Sequence, residues 1–151
     1  MKLLDPNITA PDTRYNNIQK PLDWNNPPDL ASRHVEELYS LTSHILDAKF
    51  REQIKHDFAS CYSEMYFSAT LMERSCINVT HPSDKGADFY LENIRCWAEV
   101  VTATDGEEGN ANTIPQPKLN EVQSYPEEQV VLRLSSVFYT KANKLKNDIK
   151  K

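Results

Sequence analysis

Lys85 to Thr104 reads KGADFYLENIRCWAEVVTAT. Two β-like runs, Asp88-Phe89-Tyr90-Leu91 and Arg95 to Thr102, flank the short polar turn Glu92-Asn93-Ile94, and this predicts a hairpin. The hairpin sets Asp88 at the mouth of its first strand and Glu99 in the middle of its second, so the two carboxylates approach each other. In the second strand Trp97, Glu99 and Val101 share one face, while Cys96, Ala98 and Val100 share the other, small and apolar, suited to packing under a helix. A charge inside an otherwise apolar strand is costly unless it meets water, a partner or a metal. Two converging carboxylates suit a hard divalent cation such as Mg²⁺.

Upstream, Cys76 to Thr80 predicts a short strand and His81 to Gly86 a turn. Before them, Phe50, Ile54, Phe58, Cys61, Met65, Ala69 and Met72 form an apolar stripe that predicts one long helix from Asp47 to about Arg74. Glu64 stands at the edge of that stripe. An earlier helix starts at Pro28-Asp29 and carries Leu30, Leu38, Leu41 and Ile45 to about Leu46. Downstream, residues 104–126 are polar, with two glycines and three prolines, and predict a long loop. Pro126-Glu127-Glu128 opens the last helix, with Val130, Val131, Leu134, Val137, Phe138 and Leu145 on its expected buried side. Gln129 and Arg133, four apart, share another face. The order predicts an α/β chain: a long helix, a three-stranded sheet and a C-terminal helix, with an extra N-terminal helix.

The 151 residues fit one domain of ordinary size. Five of the nine prolines fall in the first thirty residues, with two Asn-Asn pairs. Residues 1–28 therefore read as an extended or mobile arm, docking through Tyr15, Leu22 and Trp24, and residues 29–151 as the single domain. A net charge of −5 excludes a bulk polyanion binder held by charge alone. The lysines at 141, 144, 146, 150 and 151 read as a solvated helix end, or as a local phosphate-facing patch. Three cysteines without CxxC spacing predict reduced thiols and a cytoplasmic location, with no zinc site. The four histidines read as structural or exposed. No signal-peptide core follows Met1, and no apolar stretch approaches membrane-spanning length, so no membrane partner is expected.

A helix with a glutamate, a hairpin with an acid on each strand, then a helix with a glutamine resembles the PD-(D/E)XK nuclease superfamily. The resemblance covers roughly Asp57 to Lys141 and implies a small restriction-endonuclease-like core. The family pattern is an aspartate followed, a short strand later, by an acid-x-lysine triplet. Gly86-Ala87-Asp88 matches its first part, with alanine where the family often has proline. Glu99-Val100-Val101 matches the second part only at the acid, since Val101 stands where the lysine belongs. Glu64 falls where the helix-borne acid would lie. Gln129 resembles the glutamine of the following helix, and Arg133 stands where some branches have tyrosine.

The resemblance implies a metal-dependent nuclease that hydrolyses phosphodiester bonds of DNA or RNA. Asp88, Glu99 and Glu64 would hold Mg²⁺ or Mn²⁺. The lysine's role would pass to Lys85, Lys118 or Lys141, with Arg133 able to stabilise phosphate charge. The alternative is a catalytically inactive nuclease-like module that binds protein or nucleic acid, and a third reading is a helical interaction protein with an incidental hairpin. Nucleases of this class often form homodimers.

Overall fold

A computed structural model describes residues 2–20, 30–75, 77–80, 87–106, 109–115 and 122–149. Among them the chain is mixed helix and sheet, as expected at the level of class. It has five α-helices, α1 (Thr13–Asn17), α2 (Leu30–Thr42), α3 (Phe50–Gln53), α4 (Phe58–Ser75) and α5 (Glu127–Ile149), and a three-stranded antiparallel sheet. The strands β1 (Val79–Thr80), β2 (Phe89–Leu91) and β3 (Cys96–Ala98) lie side by side in chain order. The chain forms two compact units, Met1–Val100 and Val101–Lys151.

The first unit has two apolar clusters. One is helical, with Phe58, Cys61, Met65 and Ala69 of α4 buried together with Val35 and Leu38 of α2 and with Phe50 and Ile54. The stripe read from the sequence is thus inside, but the single long helix is not. The chain breaks between Gln53 and Phe58, and α4 begins under two carboxylates. Asp57 Oδ1 accepts the amide of Ser60 at 3.2 Å in ordinary N-cap fashion, and Asp12 Oδ2, from far upstream, accepts the amide of Phe58 at 2.9 Å. On α2 the inward face is Val35, Leu38 and Thr42, while Leu30 and Leu41 are exposed. The Thr42 hydroxyl enters this core by donating to the Leu38 carbonyl at 2.8 Å.

Of the segment expected to be an extended or mobile arm, residues 3–15 contribute to this core, Tyr15 among them as expected. Leu3, Leu4, Ala10 and Tyr15 are buried in it. The Glu36 carboxylate accepts the amides of Leu3 and Leu4 at 3.0 and 2.8 Å. Asn16 makes a two-way amide pair with the backbone of Ala10, both bonds 2.8 Å. These bonds give polar backbone a partner inside the protein, which lets a proline-rich stretch pack without regular structure. Leu22, Trp24 and the helix start at Pro28-Asp29 lie outside the described residues.

The second cluster joins Val79, Phe89 and Leu91 of the sheet to Ile45, with Leu71 and Met72 at the end of α4, and Ala98 and Val100, packed around them. The alternation read for the second strand therefore places Ala98 and Val100 inward, but Cys96 is exposed. Cys76 and the turn 81–86 lie outside the described residues. The polar linker is a 3-10 turn, Glu92–Ile94, closed by Arg95 in the left-handed region at φ 52°. Asn93 Oδ1 accepts the amide of Asn78 at 2.7 Å and so ties this turn to the start of β1.

In the second unit the Ile114 amide donates to the Asp105 carbonyl at 2.7 Å, and Gly106 takes φ +94°, a conformation an L side chain rarely adopts. Helix α5 starts after Pro126 with Glu127 and Glu128 in its first turn, as its sequence predicts. Its expected buried side is not buried. Val131, Leu134 and Phe138 are exposed, Val130 and Val137 are half-buried, and the side chain of Leu145 lies outside the described residues. Among the described residues no helix is long and apolar enough to cross a membrane.

Candidate functional site

The β2–β3 ladder pairs Phe89 with Ala98, Tyr90 with Trp97 and Leu91 with Cys96. Strand β3 ends at Ala98, so Glu99 stands just past the strand rather than in its middle. Carried one step further, the register sets Asp88 across from Glu99, on the face of the Tyr90–Trp97 pair. Those two rings lie 4.8 Å apart, and Trp97 is 57 % exposed, so this is the open face of the hairpin. The opposite face carries Phe89 and Ala98 into the second cluster.

Asp88 Oδ2 accepts the amide of Val100 at 2.7 Å. The bond continues the hairpin where the regular ladder stops, and it brings the first acid against the peptide that follows Glu99. Both acids are half-buried.

Glu64 is half-buried on α4, one turn beyond Cys61, and its backbone carbonyl accepts the Ser68 hydroxyl at 2.8 Å. Burial, reinforced by the charges of Glu64 and Asp57, pushes the Cys61 thiol up to about 12. The Glu64 carboxylate thus acts electrostatically on the helical core. Among the described residues no group of three or more His, Cys, Asp or Glu side chains is arranged to hold a metal ion.

The other expected site residues belong to the second unit. Arg133 donates from Nε to the Thr104 carbonyl at 2.9 Å and from Nη2 to the Thr104 hydroxyl at 3.1 Å. Its guanidinium fork ties the start of the loop to α5. Gln129 lines a shallow groove of about 740 Å³ with Tyr125, Pro126, Glu127, Glu128 and Val131. Two carboxylates on its wall disfavour phosphate there. Lys141 is half-buried, eight residues beyond Arg133, or about 12 Å along the helix axis. Lys85 and Lys118 lie outside the described residues.

Sequence reasoning missed the open aromatic pair Tyr90–Trp97. Its signal was present in the alternation, because Trp97 shares the face assigned to Glu99. Comparison of the chain with protein-family models, with curated proteins and with solved structures finds no match.

Proposed function

We propose that the open end of the hairpin, at Asp88 and Glu99, binds a divalent cation of the Mg²⁺ or Mn²⁺ type and that the chain hydrolyses phosphodiester bonds of nucleic acid. The observation that supports this is the 2.7 Å bond from the Val100 amide to Asp88, which keeps the first acid beside the segment bearing the second. Two carboxylates fit Mg²⁺, which is commonly held by one or two carboxylates and completes its shell with water and substrate phosphate. Bound there, the cation would lower the pKa of a coordinated water and polarise the phosphate. The protein's part is to hold Asp88 by its hydrogen bond and to set the two half-buried acids on the hairpin face that carries Trp97. An aromatic ring exposed next to such a site offers a surface on which a base can stack.

A second reading is favoured by two observations. Val101 occupies the position of the family's lysine, and the Arg133 guanidinium is occupied by Thr104. Both suit a nuclease-like module that binds without cleaving. Calorimetric titration of Mg²⁺ and Mn²⁺ into wild type and into Asp88→Ala/Glu99→Ala tests the cation site, with circular dichroism to check folding. Binding that is lost in the folded double variant supports the site, and cleavage of single- and double-stranded DNA and RNA then separates the two readings. Absence of binding in the wild type rules out the metal-dependent reading.

A further inference from the structure

Thr104 and Arg133 meet within the second unit. The Thr104 hydroxyl accepts from Arg133 Nη2 at 3.1 Å, and the Thr104 carbonyl accepts from Nε at 2.9 Å. In the first bond the hydroxyl is the acceptor, so its own proton is not spent there. Residues 101–106 form no helix or strand, and Thr104 is exposed. The hydroxyls of Ser63, Thr70 and Thr140, by contrast, donate to carbonyls one turn back inside helices. Coiled backbone of that kind cannot be drawn out straight into another protein's groove, whereas an irregular exposed segment can. On α5 no carboxylate stands one turn from Arg133. The residues three and four along in each direction are Gln129, Val130, Ser136 and Val137. In the sequence, acids follow the threonine at 105, 107 and 108.

From this arrangement we infer that Thr104 is a phosphorylation site whose phosphate is received by the Arg133 guanidinium. The phosphate donor is ATP, and the catalyst is a separate protein kinase with a basic substrate groove, the charge that complements Asp105, Glu107 and Glu108. Thr104 Oγ1 attacks the γ-phosphorus of ATP. The new O–P bond replaces the bond to the bridging oxygen of the β-phosphate, ADP leaves, and the hydroxyl proton passes to the base of the kinase. The product carries about 1.5 to 2 negative charges at neutral pH. A phosphate on Oγ1 lies within reach of the same guanidinium, whose fork matches phosphate oxygens. A bond from a cation to a neutral hydroxyl thereby becomes a pair between cation and anion, while Asp105, next in the chain, opposes the added charge. The consequence is a tighter tie between the start of the loop and α5 when Thr104 is modified. Neither the hairpin acids nor cleavage of nucleic acid enters this step.

The test has two arms. In the first, the full folded chain is treated with Mg²⁺-ATP and a serine/threonine kinase selective for acidic sequences, and phosphate is mapped by mass spectrometry. The expected result is one phosphate on Thr104, lost in Thr104→Val and kept in Thr102→Val. In the second, phosphothreonine is built in at position 104 of the wild-type chain and of Arg133→Gln, with circular dichroism to check folding. Amide exchange of residues 102–106 should be about fivefold slower with the phosphate than without it, because a charge-assisted bond is stronger than one to a neutral hydroxyl. Arg133→Gln should lose that slowing. In a phosphorus-31 titration the second ionisation of the phosphate should fall below its ordinary value of about 6, and should return towards 6 in Arg133→Gln. A folded chain that takes no phosphate at Thr104, equal labelling of Thr104→Val, or exchange and titration that ignore Arg133 overturns the inference. Metal binding at the hairpin is measured separately, so failure of either proposal leaves the other standing.

Discussion

Asp12 and Phe58 are joined by a 2.9 Å hydrogen bond, from the Phe58 amide to Asp12 Oδ2, across 46 residues of chain. The same carboxylate accepts the Arg14 amide at 2.8 Å and pairs with the Arg14 guanidinium at 2.9 Å. One side chain thus caps α1 and α4 together, from a position only 8 % exposed.

Asp12→Ala removes both caps and leaves the Phe58 amide buried without its acceptor. It should cost about 2–3 kcal/mol in urea denaturation, near the upper end for capping losses because two helix starts are affected. Asp12→Asn should cost less, since its one carbonyl oxygen still accepts. Equal stability of the Ala variant would remove Asp12 from its structural role.

The same residue sets a pH dependence. The Arg14 guanidinium, helped by the Phe58 and Arg14 amides and opposed by burial, lowers the Asp12 carboxyl to about 2 from an ordinary 3.8. The folded value lies below the unfolded one, so the stabilisation is present above about pH 4 and is lost as pH falls from there through about 2. Its size is about 2 kcal/mol at neutral pH. The stability gap between wild type and Asp12→Asn should therefore shrink over that window, which denaturation at successive pH values reads directly.

Cys61 is buried and its thiol is pushed up to about 12, whereas Cys96 is exposed. In a Cys76→Ser background, a thiol reagent near pH 8 should label Cys96 promptly and Cys61 only on unfolding, because the thiolate is the reactive species. Mass spectrometry of the labelled peptides reads the outcome, and prompt labelling of both would contradict the burial of Cys61 on the inward face of α4.

Glu36→Ala takes away the acceptor of the Leu3 and Leu4 amides. Residues 2–10 should then exchange amide hydrogen and admit protease sooner, with a global loss of about 1–2 kcal/mol. Glu36→Gln, which keeps one acceptor oxygen, should fall between wild type and Ala.

Arg133→Ala should release residues 102–106 from α5, seen as faster amide exchange at Ile114, whose amide donates to Asp105 next to Thr104. Arg133→Lys should rescue little, because an ammonium cannot reproduce the two-pronged bond to one threonine. Unchanged exchange in both variants would show that the fork does not order the loop.

The sequence by itself determined the local elements. Alternation and a polar linker marked the β2–β3 hairpin, a 3.6-residue stripe marked the buried face of α4, and Pro126 with two acids marked the start of α5. Each depends on neighbours within a turn or a strand, so each can be read from spacing alone. The tertiary structure decided what distant groups control. Asp12 ends the apparent long helix before Phe58 because its carboxylate meets that amide from another part of the chain. Glu36 ties Leu3 and Leu4 to the core by offering acceptors for amides that periodicity cannot place. At the candidate site, sequence named Asp88 and Glu99, but only the fold showed Asp88 bonded to the Val100 amide. An amphipathic stripe in sequence states that a face seeks cover and not where the cover comes from, which is why the open side of α5 was legible only in three dimensions.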